Sequence, residues 1–185
     1  MMTRQPVPDL TDLQRIHDEA DCLADHATVQ ASLDRMAGQI SARLGNSNPL
    51  VITVMNGGLI FAGQLLPRLN FALEVGYVHA SRYGHALTGK VMDWRVRPQH
   101  DVRDRTVLVL DDILDEGHTL AEILRYLRQE GAREVLSAVL VHKRHDRKAL
   151  PDMRADFTGL EVADRFLFGY GMDYKGYWRN AAGIF

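Results

Sequence analysis

The segment Val107–Leu120 combines three carboxylates with a turn that could bind phosphate. Its sequence, VLVLDDILDEGHTL, runs from an apolar stretch into the adjacent acids Asp111 and Asp112 and then to Asp115. A strand that ends in paired acids places charge at the carboxyl edge of a sheet, where open α/β folds bind ligands. The glycine-containing turn that follows opens a helix, whose free backbone N–H groups favour a phosphate. Together these features predict a ligand that carries hydroxyls or a metal besides phosphate, which describes a phosphorylated sugar.

The elements that must position these acids alternate between strands and helices. Apolar residues recur at helical spacing after Thr28, which we expect to cap a helix that ends at Gly45. Apolar runs bounded by turn residues predict strands over residues 50–55, 71–80, 106–110 and 135–141, with helices over about 59–69 and 118–130. This alternation predicts an α/β fold with a central, mostly parallel sheet and helices on both of its faces. Active residues should then gather at one edge of the sheet.

Two segments outside this pattern are candidates for covering the site. Residues 81–105 form a connection of a length that is uncommon in compact domains, so we interpret it as a long flexible flap with a short hairpin. A disordered surface loop is the alternative. The C-terminal part of the chain, from Asp156 onward, is rich in aromatic residues and glycine, and we expect it to form a small hood over the site together with the N-terminal part.

The overall composition predicts a single cytoplasmic domain that spans residues 1–185. The chain is 46% hydrophobic and 25% charged, as globular proteins are, and no apolar run approaches the roughly 20 residues of a membrane span. The N-terminus lacks the apolar core of a signal peptide, and the single cysteine, Cys22, allows no intramolecular disulfide. A net charge of −2 gives no sign of a basic nucleic-acid footprint. We therefore expect neither a membrane nor a nucleic acid as a partner.

The acidic segment resembles the phosphoribosyl-diphosphate motif of the type I phosphoribosyltransferases. That motif has four apolar residues, two acids, two apolar residues, and then acid-x-Gly-x-Thr. The stretches LVHKR at 140–144 and DRFLFGYGMDY at 164–174, continuing to Arg179, resemble the purine-recognition segments of the bacterial hypoxanthine-guanine phosphoribosyltransferases. MNGG at 55–58 resembles their pyrophosphate loop. In order and spacing the resemblance covers about residues 50–180.

This resemblance implies a type I phosphoribosyltransferase fold and an enzyme that needs Mg²⁺. The reaction would transfer the 5-phosphoribosyl group from phosphoribosyl diphosphate to free hypoxanthine or guanine, a 6-oxopurine base, and give IMP or GMP plus pyrophosphate. Within the single domain, residues 1–48 would be an N-terminal helical extension, residues 50–143 the core sheet and flap, and residues 144–185 the completion of the core and the purine-binding hood. The architecture also implies a homodimer or homotetramer.

The acidic motif would bind the phosphoribosyl group. Asp111 and Asp112 would accept hydrogen bonds from the ribose 2- and 3-hydroxyls, directly or through metal-bound water. Asp115 would be the general base or charge stabiliser at purine ring nitrogen N7. The loop that binds the 5-phosphate would consist of Asp115, Glu116, Gly117, His118 and Thr119.

The remaining motifs would hold the base, the metal and the pyrophosphate. Lys143 would donate to the purine 6-oxygen and so reject adenine, while Phe166 would stack on the base and the backbone of Leu167 would bond to its edge. Asp173, which also belongs to the implied purine-binding residues, would be a direct Mg²⁺ ligand, and Asp111 and Asp112 would be the other residues of the metal site. The other implied roles belong to Asn56, Gly57 and Arg179, which would hold the pyrophosphate, and to Ser81 and Tyr83 in the flap. The resemblance further implies a cis peptide bond between Met55 and Asn56.

Each of these motifs also has an ordinary structural interpretation. An isolated Asp-Asp pair is usually solvated, Asp115 could be the N-cap of the following helix, and a lysine at a strand end usually improves solubility. The stretch FLF at 166–168 is typical of a core strand. The basic stretch KRHDRK, in which His145 follows Lys143, shows no zinc spacing, so we interpret it as a solvated turn or a phosphate attractor.

Four positions depart from the family pattern. Glu116 stands where threonine is common, and we expect its side chain to point outward so that backbone N–H groups and Thr119 bind the phosphate. The other departures are Asp111 in place of glutamate, Asn56 in place of lysine, and Arg82 between Ser81 and Tyr83.

Other functions remain open at this point. A xanthine-guanine phosphoribosyltransferase differs in contacts at purine position 2, which the sequence does not determine. A regulator that keeps the phosphoribosyl-diphosphate site as a sensor and binds RNA or DNA is the alternative from another class, but the charge balance disfavours it. A receiver-like or phosphatase domain is disfavoured because the chain lacks its other acidic positions.

Overall fold

The computed structural model describes residues 8–82 and 92–185. Its helices are α1 (Leu10–Glu19), α2 (His26–Leu44), α3 (Gly58–Leu65) and α4 (His118–Gln129). Its strands are β1 (Ala24–Asp25), β2 (Leu50–Met55), β3 (Glu74–Arg82), β4 (Met92–Val96), β5 (Thr106–Leu114), β6 (Glu134–Arg144), β7 (Phe157–Ala163) and β8 (Gly183–Ile184). Six strands form one sheet in the order β4-β3-β2-β5-β6-β7, in which only β4 runs antiparallel to its neighbour. The predicted α/β fold with a mostly parallel sheet is confirmed.

Hydrophobic residues of the central strands face both sides of this sheet. In β5, Leu108 and Leu110 pack in one cluster, whereas Val107 and Val109 pack in the other. Alternate residues of a strand point to opposite faces, so the sheet has a core on each face. Helix α2 covers one core and α4 the other, each with apolar residues at helical spacing. The buried strands therefore have near-continuous apolar sequences, as parallel strands do.

Helix α2 begins earlier than the sequence pattern suggested. Its N-cap is Asp25, whose carboxylate accepts a hydrogen bond from the backbone N–H of Thr28 at 2.8 Å. The prediction that Thr28 caps this helix was therefore wrong, because Asp25 is the cap and Thr28 lies within the first turn. Gly45 is the C-cap, as expected.

Strands β5 and β6 extend further than the predicted strands over 106–110 and 135–141. Parallel pairing continues along them, with Asp111 opposite Val139 and Lys143 opposite Val162. Asp111, Asp112 and Lys143 thus lie within the last residues of strands rather than after them. Backbone pairing with a neighbouring strand, which a single apolar run does not reveal, extends these elements.

The C-terminal segment packs on the N-terminal helices. Strand β8 pairs with β1, and the Trp178 indole donates to the carbonyl of Leu13 at 2.9 Å. The Tyr170 hydroxyl lies 2.6 Å from His26 Nδ1. The hood of the sequence prediction therefore contains material from both ends of the chain. Across residues 8–82 and 92–185, no helix has the length and apolar character required to cross a membrane.

The predicted flap is only partly covered by the described residues. Strand β4 pairs antiparallel with β3, which gives the two arms of the predicted hairpin. Residues 83–91 lie outside the described residues, and so does the prediction for Tyr83. For Ser81 the description is limited to the backbone, which belongs to β3.

Candidate functional site

A cleft of about 570 Å³ opens where the parallel strands β2 and β5 end. The acids of the motif and the glycine turn that follows them lie in its wall, as do Asn56 and Gly57 after β2 and Arg179 of the hood. The predicted residues that line the cleft are Asn56, Gly57, Asp111, Asp112, Asp115, Glu116, Gly117, His118, Thr119 and Arg179. Parallel strands bring their carboxyl ends to one edge, which explains why residues from distant parts of the sequence meet there.

Asp111 and Asp112 are two adjacent, buried carboxylates at the bottom of this cleft. Their residues are 9% and 7% exposed, and the backbone N–H of Asp112 donates to Asp111 Oδ1 at 3.0 Å. Burial, followed by the neighbouring charge of Asp112, raises the pKa of Asp111 well above its usual value. Burial also raises the pKa of Asp112, although its hydrogen bond with Asp111 and the charge of Arg179 oppose the rise. The interpretation of this pair as solvated acids was therefore wrong, and hydroxyl donors or a cation would relieve the desolvation.

The turn before α4 is shaped for an anion. Gly117 is the N-cap of this helix with φ of +83°, and no side chain bonds to the free N–H groups of the first turn. A Cβ at Gly117 would lie 2.6 Å from a methyl carbon of Leu114, so the position requires glycine on two counts. The alternative of Asp115 as the N-cap was wrong. Glu116 directs its half-exposed carboxylate to within 3.4 Å of His118 Nε2.

The carboxylate of Asp115 is held by two side chains from the end of β6. Lys143 Nζ lies 2.9 Å from Asp115 Oδ2, and His145 Nε2 lies 2.8 Å from Oδ1. Burial on its own raises the pKa of Asp115, but the hydrogen bonds and charges of Lys143 and His145 outweigh it, and the pKa is lowered overall. Lys148 Nζ fixes the backbone at this point, because it donates to the carbonyls of Asp115 at 2.6 Å and Lys143 at 2.7 Å.

Asp115, His145 and Asp164 form a group whose ligand atoms all lie within 4.8 Å of one another, so the group could hold a metal ion. However, Lys143 Nζ is already 2.9 Å from Asp115 and 3.9 Å from Asp164. Lysine therefore compensates both carboxylates. The pair Asp111 and Asp112 has no such lysine partner among the described residues, and it suits a divalent cation better.

The loop after β2 and the hood approach each other closely above Asp112. The Met55–Asn56 peptide bond is cis, as the sequence prediction had it. A Cβ at Gly57 would lie 2.6 Å from Cγ of Asp112, and Gly171, with φ of +112°, packs against the carbonyl of Gly57. These two glycines allow the backbone of the loop to lie against the acids.

Arg179 connects the hood to this loop region. Its guanidinium lies 2.5 Å from Asp173 Oδ1 and also donates to the carbonyl of Gly171. Asp173 Oδ2 accepts the backbone N–H of Gly176 at 2.6 Å. Arg179 therefore reaches the cleft, whereas Asp173 is bonded beside it and does not line it.

The residues predicted to bind a base follow β6 and β7. Phe166 is 68% exposed and packs edge-on against Tyr174, whereas Leu167 is buried. The core-strand alternative was therefore wrong for Phe166, which lies in no strand, although the two residues that follow it, Leu167 and Phe168, are buried. Lys143 lies at the same edge as Asp115, and Asp164, after β7, is 3.9 Å from its ammonium. Phe166 follows Asp164 by two residues, but its side chain lines a separate pocket beside Glu19, Asp21 and Arg165. Lys143, Phe166 and Leu167 do not line the main cleft.

Sequence reasoning missed several residues of the site. The basic stretch that contains His145 was interpreted as a solvated turn or a phosphate attractor, but the His145 side chain is only 4% exposed and bonds to Asp115. Its position two residues after Lys143 was the only available signal. His79 of β3 and Arg95 of β4 line the cleft, and they could have been found from the alternation of residues along those strands.

Comparison with known proteins agrees with this geometry. The family described as "Phosphoribosyl transferase domain" matches residues 19–175. The chain belongs to this phosphoribosyltransferase family. It is 31% identical over 168 residues to the hypoxanthine-guanine phosphoribosyltransferase of Bacillus subtilis, an alignment that covers 89% of this chain and 91% of the relative.

Two further phosphoribosyltransferases show the range of the similarity. The hypoxanthine-guanine-xanthine phosphoribosyltransferase of Tritrichomonas foetus is 28% identical, over 97% of this chain and 93% of the relative. The crystal structure of a hypoxanthine phosphoribosyltransferase from Staphylococcus aureus superposes with a TM-score of 0.85 at 22% identity and covers 95% of each chain. The predicted type I phosphoribosyltransferase fold is thereby confirmed.

Proposed function

We propose that this phosphoribosyltransferase is a purine salvage enzyme. It transfers the 5-phosphoribosyl group from phosphoribosyl diphosphate to hypoxanthine or guanine and releases IMP or GMP with pyrophosphate. The observation that carries the proposal is the pair formed by the Lys143 ammonium and the Asp115 carboxylate, 2.9 Å apart beside the phosphate turn. The Lys143 ammonium can only donate a hydrogen bond, which matches the 6-oxygen of a 6-oxopurine, and the Asp115 carboxylate can accept one, which matches the proton on N7. The names of the relatives support the same substrate class.

The acidic motif would hold the sugar. The free N–H groups of the turn from Asp115 to Thr119 bind the 5-phosphate at the positive end of α4, together with the Thr119 hydroxyl. Asp111 and Asp112 accept hydrogen bonds from the ribose hydroxyls, which compensates the desolvation of these buried carboxylates. Asn56, Gly57 and Arg179 hold the pyrophosphate group, for which the Arg179 guanidinium supplies positive charge.

In the reaction, purine nitrogen N9 forms a bond to C1 of the ribose while the bond from C1 to the pyrophosphate oxygen breaks. The bonding electrons leave with the pyrophosphate, and Asp115 takes the proton from N7. Positive charge develops on the sugar, so the carboxylates near it lower the barrier. Phe166, whose side chain is exposed, stacks on the base, and the Leu167 backbone bonds to its edge.

The donor chemistry of the cleft fits a Mg²⁺ ion. Asp111 and Asp112, two buried carboxylates with raised pKa values, are oxygen ligands of the type that Mg²⁺ prefers, and a divalent cation would neutralise the repulsion between them. Asp173 lies beside the cleft and is paired with Arg179, so its carboxylate would have to leave this guanidinium to bind the ion. We assign Asp173, Asp111 and Asp112 to hold it, directly or through water. When bound, the ion would neutralise charge on the leaving pyrophosphate. We further propose a single-domain, cytoplasmic enzyme that assembles as a homodimer or homotetramer.

The test is an assay of the purified protein with phosphoribosyl diphosphate and Mg²⁺ against hypoxanthine, guanine, xanthine and adenine. We expect IMP and GMP, no AMP, and loss of product when the metal is chelated. Turnover of adenine alone would refute the proposal, and a preference for xanthine would favour the xanthine-guanine alternative. Salt-dependent binding of RNA or DNA without nucleotide formation would favour the sensor alternative instead.

A further inference from the structure

His145 is a buried polar side chain that the roles above leave unused. It follows the last residue of β6, its side chain is 4% exposed, and its Nε2 lies 2.8 Å from Asp115 Oδ1. A buried polar group needs a partner, and here the partner is the carboxylate assigned to take the purine proton. The contact therefore joins His145 to the reaction.

The hydrogen bonds of the ring define which nitrogen carries the proton. His145 Nδ1 accepts the backbone N–H of Arg147 at 3.1 Å, so this nitrogen has a free lone pair. Nε2 then carries a proton and donates to Asp115 at 2.8 Å. Lys148 Nζ is also 3.5 Å from Nε2, but its short hydrogen bonds, at 2.6 and 2.7 Å, go to the carbonyls of Asp115 and Lys143. The ring is anchored at both nitrogens and presents a fixed donor to the carboxylate.

Each carboxylate oxygen of Asp115 has one hydrogen-bond donor, Lys143 or His145. Only one of these two donors is also required by the substrate. Lys143 bonds to Oδ2, but the proposed function requires its ammonium to donate to the purine 6-oxygen. His145 bonds to Oδ1 and has no such competing demand. When the base binds, His145 is thus the donor that continues to orient the carboxylate. Lys148 keeps the backbone carbonyls of Asp115 and Lys143 in place meanwhile.

We propose that His145 is a positioning residue that holds the Asp115 carboxylate toward purine N7 while Lys143 binds the 6-oxygen. This inference rests on the proposed function. It predicts that His145 acts on the chemical step through the Asp115 carboxylate and contributes little to the binding of phosphoribosyl diphosphate, because the turn would bind phosphate through backbone N–H groups, whereas His145 bonds to a side-chain oxygen.

Removal of His145 should also alter the pH profile. The charged and titratable groups around Asp115 are Lys143 from β6, Arg147 and Lys148 from the following loop, Glu116 from its own loop, and Asp164 after β7. Burial raises the pKa of Asp115, and Lys143 and His145 lower it, so loss of His145 leaves the pKa higher. Because Asp115 must be ionised to take a proton, the acid side of the kcat/KM profile should move to higher pH.

The experiment compares His145→Ala and His145→Gln with the wild type in the hypoxanthine assay. We expect His145→Ala to lower kcat about 10- to 100-fold, as misplacement of a reacting group does, with the KM for phosphoribosyl diphosphate nearly unchanged. Glutamine can place an N–H donor near the position of Nε2, so His145→Gln should recover most of the lost rate. His100→Ala is the matched control, because this histidine contacts Glu74 and does not line the cleft.

Three outcomes would overturn the inference. An unchanged kcat and pH profile in His145→Ala would show that Asp115 needs no such support. An equal loss with alanine and glutamine, together with a lower melting temperature and an unmoved pH profile, would show a purely structural role. Nitrogen NMR of the wild type that places the His145 proton on Nδ1 would show that Nε2 does not donate to Asp115, which contradicts the inference. If the wild type forms no nucleotide from any base, the proposed function fails and the inference fails with it. If the wild type is active and one of the three outcomes above is found, only the inference fails, so the two failures are distinguishable.

Discussion

Replacement of Lys143 by methionine tests the assignment of the base site most directly. The Lys143 side chain is 10% exposed, and methionine keeps much of its length and apolar stem while it removes the ammonium. A hydrogen bond that involves a charged group contributes about 1.5–3 kcal/mol. If Lys143 donates to the 6-oxygen in the transition state, its loss should lower kcat/KM for hypoxanthine about 10- to 150-fold.

The same substitution should change stability only slightly. The partner carboxylate of Asp115 is 42% exposed and keeps its hydrogen bond from His145. A solvent-screened ion pair contributes about 0–1 kcal/mol, so the melting temperature should move by only a few degrees. A loss of activity in Lys143→Met therefore cannot be explained by unfolding.

The assay is steady-state nucleotide formation from hypoxanthine and from adenine, with calorimetry on the same samples. Lys143→Met should narrow the selectivity between the two bases, because adenine gains nothing from a donor at its amino group. Arg144→Met is the matched control, since it removes a positive charge from the exposed, oppositely facing next residue of β6. The assignment is refuted if Lys143→Met retains wild-type kcat/KM for hypoxanthine, or if Arg144→Met loses as much activity.

Two further predictions concern the buried acids. Gly57→Ala should destabilise the protein by about 1–3 kcal/mol and impair catalysis, because its Cβ would lie 2.6 Å from Cγ of buried Asp112. Gly63→Ala, inside the helix that Gly57 caps, has open space for its Cβ and should stabilise the protein by about 0.5–1 kcal/mol. Denaturant unfolding and steady-state kinetics compare the two variants. Asp111→Asn should abolish most activity yet raise the melting temperature near neutral pH in metal-free buffer. The folded protein binds the Asp111 proton more tightly than the unfolded chain does, so the stability of the wild type falls as the pH rises from about 4 through the raised pKa of Asp111. Asparagine cannot ionise and therefore avoids this loss. Equal melting temperatures of Asp111→Asn and the wild type at neutral pH would contradict the prediction.

The sequence allowed the acidic edge of the sheet to be predicted because the relevant interactions are local. An apolar run, two acids and a glycine turn lie within fourteen consecutive residues, Val107–Leu120, and the strand and helix that position them are formed by the same segment. Gly117 is required by its own backbone conformation, with φ of +83°. Nothing from elsewhere in the chain is needed to bring Asp111, Asp112 and this turn together.

The parts that were mispredicted depend on distant partners. The ends of β5 and β6 are set by pairing with neighbouring strands, so Lys143 lies inside a strand. His145 has a polar, basic neighbourhood in sequence, and only the approach of the β5 loop turns it into a buried donor to Asp115. Phe166 shows the opposite error. The apolar residues that follow it suggested a buried core strand, but β7 ends before Phe166 and its side chain is exposed.

The three acids of one motif end in different electrostatic states, and this difference fits their proposed roles. Asp111 and Asp112 are desolvated with raised pKa values, so ligand hydroxyls or a cation would stabilise them in the complex. Asp115 has a lowered pKa, largely because Lys143 and His145 overcome its burial. If a 6-oxopurine draws the Lys143 ammonium to its oxygen, one of these two influences is lost and the pKa of Asp115 rises. Asp115 then becomes a better proton acceptor when the correct base is bound, and a base without a 6-oxygen would not cause this change.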